Sequence, residues 1–159
     1  MARPTEGDGV MELRRVRLGA PRSGLAEMLA FYTGSLGLTG REVDPGVVAM
    51  TVGESVLEFA STGGEPFSHF ALLVPGDRFD ALLAWARERV DLLPDAERNE
   101  PVFDFTNWNA RACYFHDPAG NIVEFIAHHG LGENGATDVF EPRELVGISE
   151  IGIVDDREH

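Results

Sequence analysis

Apolar residues recur along this chain at two spacings, every second position and every third or fourth, and the two alternate in a way that predicts a mixed α/β domain. From Met11 to Leu18, Val16 and Leu18 point to one side while Leu13, Arg15 and Arg17 point to the other, which predicts a strand. Pro21-Arg22-Ser23-Gly24 breaks that strand, and Ser23 stands where a helix N-cap belongs. Leu25, Met28, Leu29 and Tyr32 then fall at i, i+3, i+4 and i+7, one apolar helix face, which Gly34 and Gly37 end. Short strands are predicted near Arg41–Asp44, Val47–Val52 and Ser55–Ser61, parted by the turn signals Pro45-Gly46 and Gly53-Glu54.

The order then restarts. After Gly63-Gly64, Ser68 to Val74 predicts a strand, and Asp77 can cap a second helix with Asp80 in its first turn. Phe79, Leu82, Leu83 and Ala86 form its apolar face. Val102–Phe105, Ala112–His116 and Ile122–Ala127 are the next predicted strands, the last two joined by the turn Asp117-Pro118-Ala119-Gly120-Asn121. Val56-Leu57-Glu58-Phe59-Ala60 lies over Ile122-Val123-Glu124-Phe125-Ile126, so each half closes on an apolar-apolar-Glu-Phe strand. This duplication places Arg15, Glu58, His69 and Glu124 at equivalent points, one pair per half. His128 to Thr137 is polar and glycine-rich, a predicted loop. Leu145 to Val154 is apolar again, an extra strand that pairs within the domain or across a dimer, with a frayed terminus as the competing reading.

The fold class expected is therefore α+β, one domain over 1–159 holding two modules, about 11–61 and 68–127. No run approaches the roughly 20 consecutive apolar residues of a membrane-spanning helix, and residues 1–10 lack the apolar segment of a signal peptide. The lone cysteine, Cys113, cannot form an internal disulfide, so a cytoplasmic setting is the expectation. The net charge of −14 sets the surface against nucleic acid and suits a cationic guest, or simply keeps the protein soluble. All 13 basic residues are arginine, which excludes lysine Schiff-base chemistry.

Two stretches are similar to a known family. Phe31-Tyr32-x-x-x-Leu36-Gly37-Leu38 resembles the first helix of the vicinal oxygen chelate superfamily, the glyoxalase, bleomycin-resistance and dioxygenase proteins. Tyr114-Phe115-His116-Asp117-Pro118-Ala119-Gly120-Asn121-Ile122-Val123-Glu124-Phe125 resembles that superfamily's final hairpin. The resemblance spans about Met11 to His128. It implies a curved, cup-shaped sheet of paired βαβββ modules with helices outside and a small molecule in the concave space. In metal-dependent members one ligand stands on each module's first strand and one on its last, which carries over to Arg15, Glu58, His69 and Glu124.

Three of those four types suit one divalent ion such as Fe, Mn, Ni or Zn; arginine, always protonated, does not. Two accounts follow. In one, His69, Glu58 and Glu124 hold the metal, Glu58 or Glu124 doubles as general base, and Arg15 pairs with an anionic substrate group in a lyase or dioxygenase. In the other, the Arg15 guanidinium replaces the metal, and the protein binds or sequesters a small molecule without chemistry. Each residue also has an ordinary explanation: His69 as a hydrogen-bonded interior residue, Arg15 as part of a solvated cluster with Arg14 and Arg17. Glu58 and Glu124 lie between apolar neighbours and need a cation or donors, because a bare buried carboxylate is costly. Phe105 and Trp108, flanking Thr106 and Asn107, suit a substrate-binding rim or a loop covering the sheet's open end. Cys113 is expected buried and inert. The partners expected are a small molecule and a second copy of the chain in a homodimer, with no nucleic acid and no membrane.

Overall fold

The computed structural model describes residues 13–64, 66–129 and 139–153. The predicted start of the first strand at Met11, most of the predicted loop His128–Thr137, and Val154 lie outside the described residues. In the first module β1 (Arg15–Pro21) leads through a 3-10 turn into α1 (Leu25–Ala30), and a π turn over Phe31–Ser35 closes the helix. Three strands follow: β2 (Thr39–Asp44), β3 (Val47–Val52) and β4 (Ser55–Thr62). The second module repeats the order with β5 (Ser68–Val74), α2 (Phe79–Arg87), β6 (Phe103–Phe105), β7 (Ala110–His116) and β8 (Ile122–His128). A ninth strand, β9 (Gly147–Ile153), completes the described chain. The α+β architecture with two βαβββ units is as the residue pattern predicts.

In both modules the first strand runs parallel to the last, and the remaining pairings are antiparallel. Hydrogen bonding divides the strands into a four-stranded sheet, β1-β4-β3-β2, and a five-stranded sheet, β6-β7-β8-β5-β9. The family resemblance implies one curved sheet; in the hydrogen-bonding pattern β9 takes the free edge of β5, antiparallel. Among the described residues the near end of β9 also meets the first module. There Leu13 bridges Ile148, the Ser55 hydroxyl donates to the Leu13 carbonyl and accepts from the Ile148 N–H, and the Glu54 N–H reaches the Val146 carbonyl. Gly53, at φ +57, is required at this crossing: a Cβ would strike the carbonyls of Leu145 and Val146. The extra strand thus pairs within the chain.

Both helix caps fall one residue later than predicted. Arg22–Gly24 is already helical, so Gly24 takes the cap of α1, Ser23 lies inside the first turn, and no side chain caps the helix. The Arg78 carbonyl accepts the first bond of α2 from the Leu82 N–H, so Arg78 is the cap residue, with no side-chain cap bond, and Asp77 stands one place outside. The helical faces are as expected. Leu25, Met28 and Tyr32 are buried, as are Phe79, Leu82 and Ala86, with Trp85 added.

One hydrophobic core lies on the helix side of both sheets. Val16, Leu18, Leu57 and Phe59 of the first module join Phe70, Leu72, Phe115 and Phe125 of the second. Phe59 meets Phe70 at a ring separation of 6.2 Å, and Tyr32 stacks on Phe59 at 5.6 Å. The segment between β8 and β9 is anchored in the same core. Phe140 packs on Trp85 at 5.3 Å, and buried Arg78 donates to Glu144 and to the Val139 carbonyl. Burying these aromatics and aliphatics removes apolar surface from water at about 25 cal/mol per Å², and strand alternation leaves each sheet's other face for Arg15, Glu58, His69 and Glu124.

Candidate functional site

Parallel pairing of β1 with β4 brings Arg15 beside Val56 and Arg17 beside Glu58, so three charged side chains meet on the face away from the core. Arg15 Nη1 donates to Glu58 Oε2 at 2.5 Å, and Arg17 Nε donates to Glu58 Oε1 at 3.0 Å. Glu58 is buried, with 5% of its side chain exposed, while the side chains of Arg15 and Arg17 are 63% and 56% exposed. Glu58 therefore has the cation its burial demands, twice over. The three residues line a concavity of about 520 Å³ that continues across β3 and β2 to Ala49, Thr51, Thr39 and Arg41.

The second module repeats the geometry with different chemistry. Glu124 on β8 is buried, and His69 on β5 reaches it, Nε2 to Oε1, at 3.0 Å. The Tyr114 ring stands edge-on to the imidazole at 5.8 Å, and Phe103 stands edge-on to Tyr114 at 5.0 Å. Ala71, Ala110 and Ala112 make a small-residue floor against which Phe105 and Tyr114 pack. Trp108 ends the 3-10 turn Thr106–Trp108, which follows β6.

The structure thus joins Arg15 to Glu58 and His69 to Glu124, as two pairs on two sheets. Among the described residues no three His, Cys, Asp or Glu side chains converge as a metal-holding group. The set His69, Glu58 and Glu124 does not fit one ion within this chain: Glu58 is taken by two guanidiniums, and the remaining pair supplies two donors. Cys113 is fully buried, and burial pushes its thiol up to about 12, with the nearby Glu124 charge adding to the shift, so it is no nucleophile at neutral pH.

The Asp-Pro-x-Gly-Asn turn, conspicuous in the sequence, is structural. Asp117 accepts from the Tyr32 hydroxyl at 2.7 Å, from Asn121 Nδ2 at 2.9 Å, and from the Ala119 and Asn121 N–H groups. Asn121 Oδ1 in turn accepts from the Ser68 N–H at 2.9 Å, tying the hairpin to the start of β5. Burial raises the Asp117 pKa against these four donors, and burial with the Asp117 charge raises Tyr32 well above the usual phenol value. Sequence reasoning missed Arg17 and Arg41 as site residues. Alternation already placed Arg17 on the Arg15 face; Arg41 joins them only through the register of three strand pairs.

No protein-family model and no curated protein sequence matches the chain. Solved structures do. A glyoxalase/bleomycin resistance protein/dioxygenase from Nocardioides aligns over 86% of this chain and 91% of its own, with 21% identity and a TM-score of 0.56. Lactoylglutathione lyase from Agrobacterium tumefaciens aligns over 78% and 95%, with 20% identity and a TM-score of 0.56. Oxidase ChaP-H1 aligns over 73% and 94%, with 27% identity and a TM-score of 0.52.

Proposed function

We infer that this chain, which has the fold of the glyoxalase/bleomycin-resistance/dioxygenase proteins, binds a small organic molecule without a metal on the concave face of its first module. The observation that carries the reading is the double ion pair at Glu58. A carboxylate on a module's last strand is the position where a divalent ion would be held in metal-dependent members of the superfamily. Here Arg15 and Arg17 supply its positive charge, and a dication beside two guanidiniums would meet strong repulsion. The exposed sides of both guanidiniums face the cavity, where they can grip a ligand by charge-assisted hydrogen bonds.

The same geometry supports binding rather than turnover. Both oxygens of Glu58 already accept from guanidiniums, and the other carboxylate on the cavity wall is Asp44, beside Thr39, Thr51 and Ala49. Amide-shift mapping of the isotopically labelled protein against a panel of small aromatic acids, amines and neutral analogues tests this. Saturable shifts at Ala49, Thr51 and Val56 are expected for at least one compound. A panel whose hits all cluster at Ala71, Ala112 and Ile126 would contradict it.

One observation favours a second reading. His69 and Glu124, an imidazole and a carboxylate, are already joined at 3.0 Å on one face. A second copy of the chain, pairing module to module as a homodimer, would supply a third donor and allow one Fe, Mn, Ni or Zn ion there, as in a lyase or dioxygenase. A retained ion that disappears in His69→Ala supports this reading; retention unchanged by that variant contradicts it.

A further inference from the structure

We propose that the ligand of the first module's concave face is an organic anion, a carboxylate on an aromatic or acyl body, gripped between Arg17 and Arg41. This rests on the metal-free binding reading and names its substrate class. The strand register carries it. Arg17 lies beside Glu58, Glu58 beside Ala49, and Ala49 beside Arg41, so one row crosses all four strands of the sheet. Directly paired residues share a face, so the row reads Arg, Glu, Ala, Arg on the concave side. The next row is Arg15, Val56, Thr51, Thr39. Two arginines therefore stand at opposite ends of one row, about 14 Å apart at the backbone for three strand spacings. Between them stand Glu58, bonded to Arg15 and Arg17, and the methyl group of Ala49 beside Arg41.

The charge of this face opposes that of the molecule. The chain carries a net −14, yet three of its 13 arginines line this one concavity against two carboxylates, Glu58 and Asp44. Glu58 is satisfied by single bonds from Arg15 Nη1 and Arg17 Nε, so both Nη groups of Arg17 and the second Nη of Arg15 remain to donate. Arg41 is exposed and makes no ion pair among the described residues. An acidic protein would repel an anion from its surface at large, so anion binding must come from these local donors, with Thr39 and Thr51 adding neutral ones. A bidentate guanidinium–carboxylate contact at one end and apolar contact with Ala49 and Val56 in the middle fit a carboxylate on a flat body.

The test pairs two probes of one shape and opposite charge, 1-naphthoate and 1-naphthylmethylammonium, titrated by amide-shift mapping at low ionic strength. The proposal predicts that naphthoate binds at least about tenfold more tightly than the ammonium compound. Arg41→Gln, which leaves the Glu58 pairs intact, is expected to weaken naphthoate about tenfold, near 1.4 kcal/mol, with an unchanged Tm. Equal or tighter binding of the ammonium compound at Ala49 and Thr51 overturns the anion preference and leaves the binding site standing. Naphthoate affinity untouched by Arg41→Gln, or no saturable naphthoate shifts at all, also overturns it. The metal-free reading is decided separately, by ion retention.

Discussion

A buried carboxylate with two exposed guanidiniums on it, as at Glu58, sets the chemistry of the first module at the scale of single residues. If the arginines supply the charge that buried Glu58 needs, removing both should strand it. Arg15→Gln combined with Arg17→Gln is expected to cost roughly 3 kcal/mol in urea unfolding. A loss below about 0.5 kcal/mol would contradict it. At the hairpin, Tyr32→Phe removes one of four donors from buried Asp117 and should cost about 1–3 kcal/mol in urea unfolding, with the naphthoate site unaffected. Burial holds the Asp117 pKa above its unfolded value, so the folded state binds this proton more tightly. Its contribution is fully present below the ordinary carboxylate range and is lost as pH rises through the raised value. Asp117→Asn should therefore flatten the decline in stability above the ordinary carboxylate range, whatever it does to absolute stability. An unaltered slope would show that another group titrates there.

Among the elements, the segment that leads into β9 carries the most testable packing. Arg78 and Glu144 are 5% and 16% exposed at their side chains. Burial raises the Glu144 pKa, but hydrogen bonds from Arg78 and the Glu141 N–H outweigh it and leave the group below its usual value. Arg78→Ala strands a mostly buried carboxylate and should cost roughly 3 kcal/mol. Arg143→Ala, at a side chain 85% exposed in its pair with Glu141, should cost about 0.5 kcal/mol or less. Comparable losses from the two would refute the latch. This device was not legible in the sequence. Arg78 sits next to a helix start and Glu144 is 66 residues away, and no periodicity links them. The strands and helices themselves were legible, because Val16, Leu18 and Tyr32 repeat at spacings that only one element type satisfies. The caps were not, since Ser23 and Asp77 have the right chemistry one position too early, and the 3-10 turn that decides it at α1 has no pattern of its own.

Across the whole molecule, internal duplication predicted which residues correspond, and the structure adds which of them meet. Equivalence of Arg15 with His69 and of Glu58 with Glu124 follows from matched segments; their convergence depends on how two sheets pack, which alternation does not encode. β9 on the edge of β5 and the shared core on the helix side leave two charged faces in one chain, one rich in arginine and one built on His69 and Glu124. The charge of −14 suits a cationic guest; the anion proposed for the first module runs against it because composition averages over a surface that the strand register divides. The measurement that tests the account most directly is divalent ion retention. Protein incubated with Fe(II), Mn(II), Ni(II) and Zn(II), desalted and analysed by mass spectrometry should keep only a small fraction of an ion per chain, with His69→Ala no different. About one ion per chain, lost in Glu58→Gln, would contradict the account and place a metal where the two guanidiniums now stand.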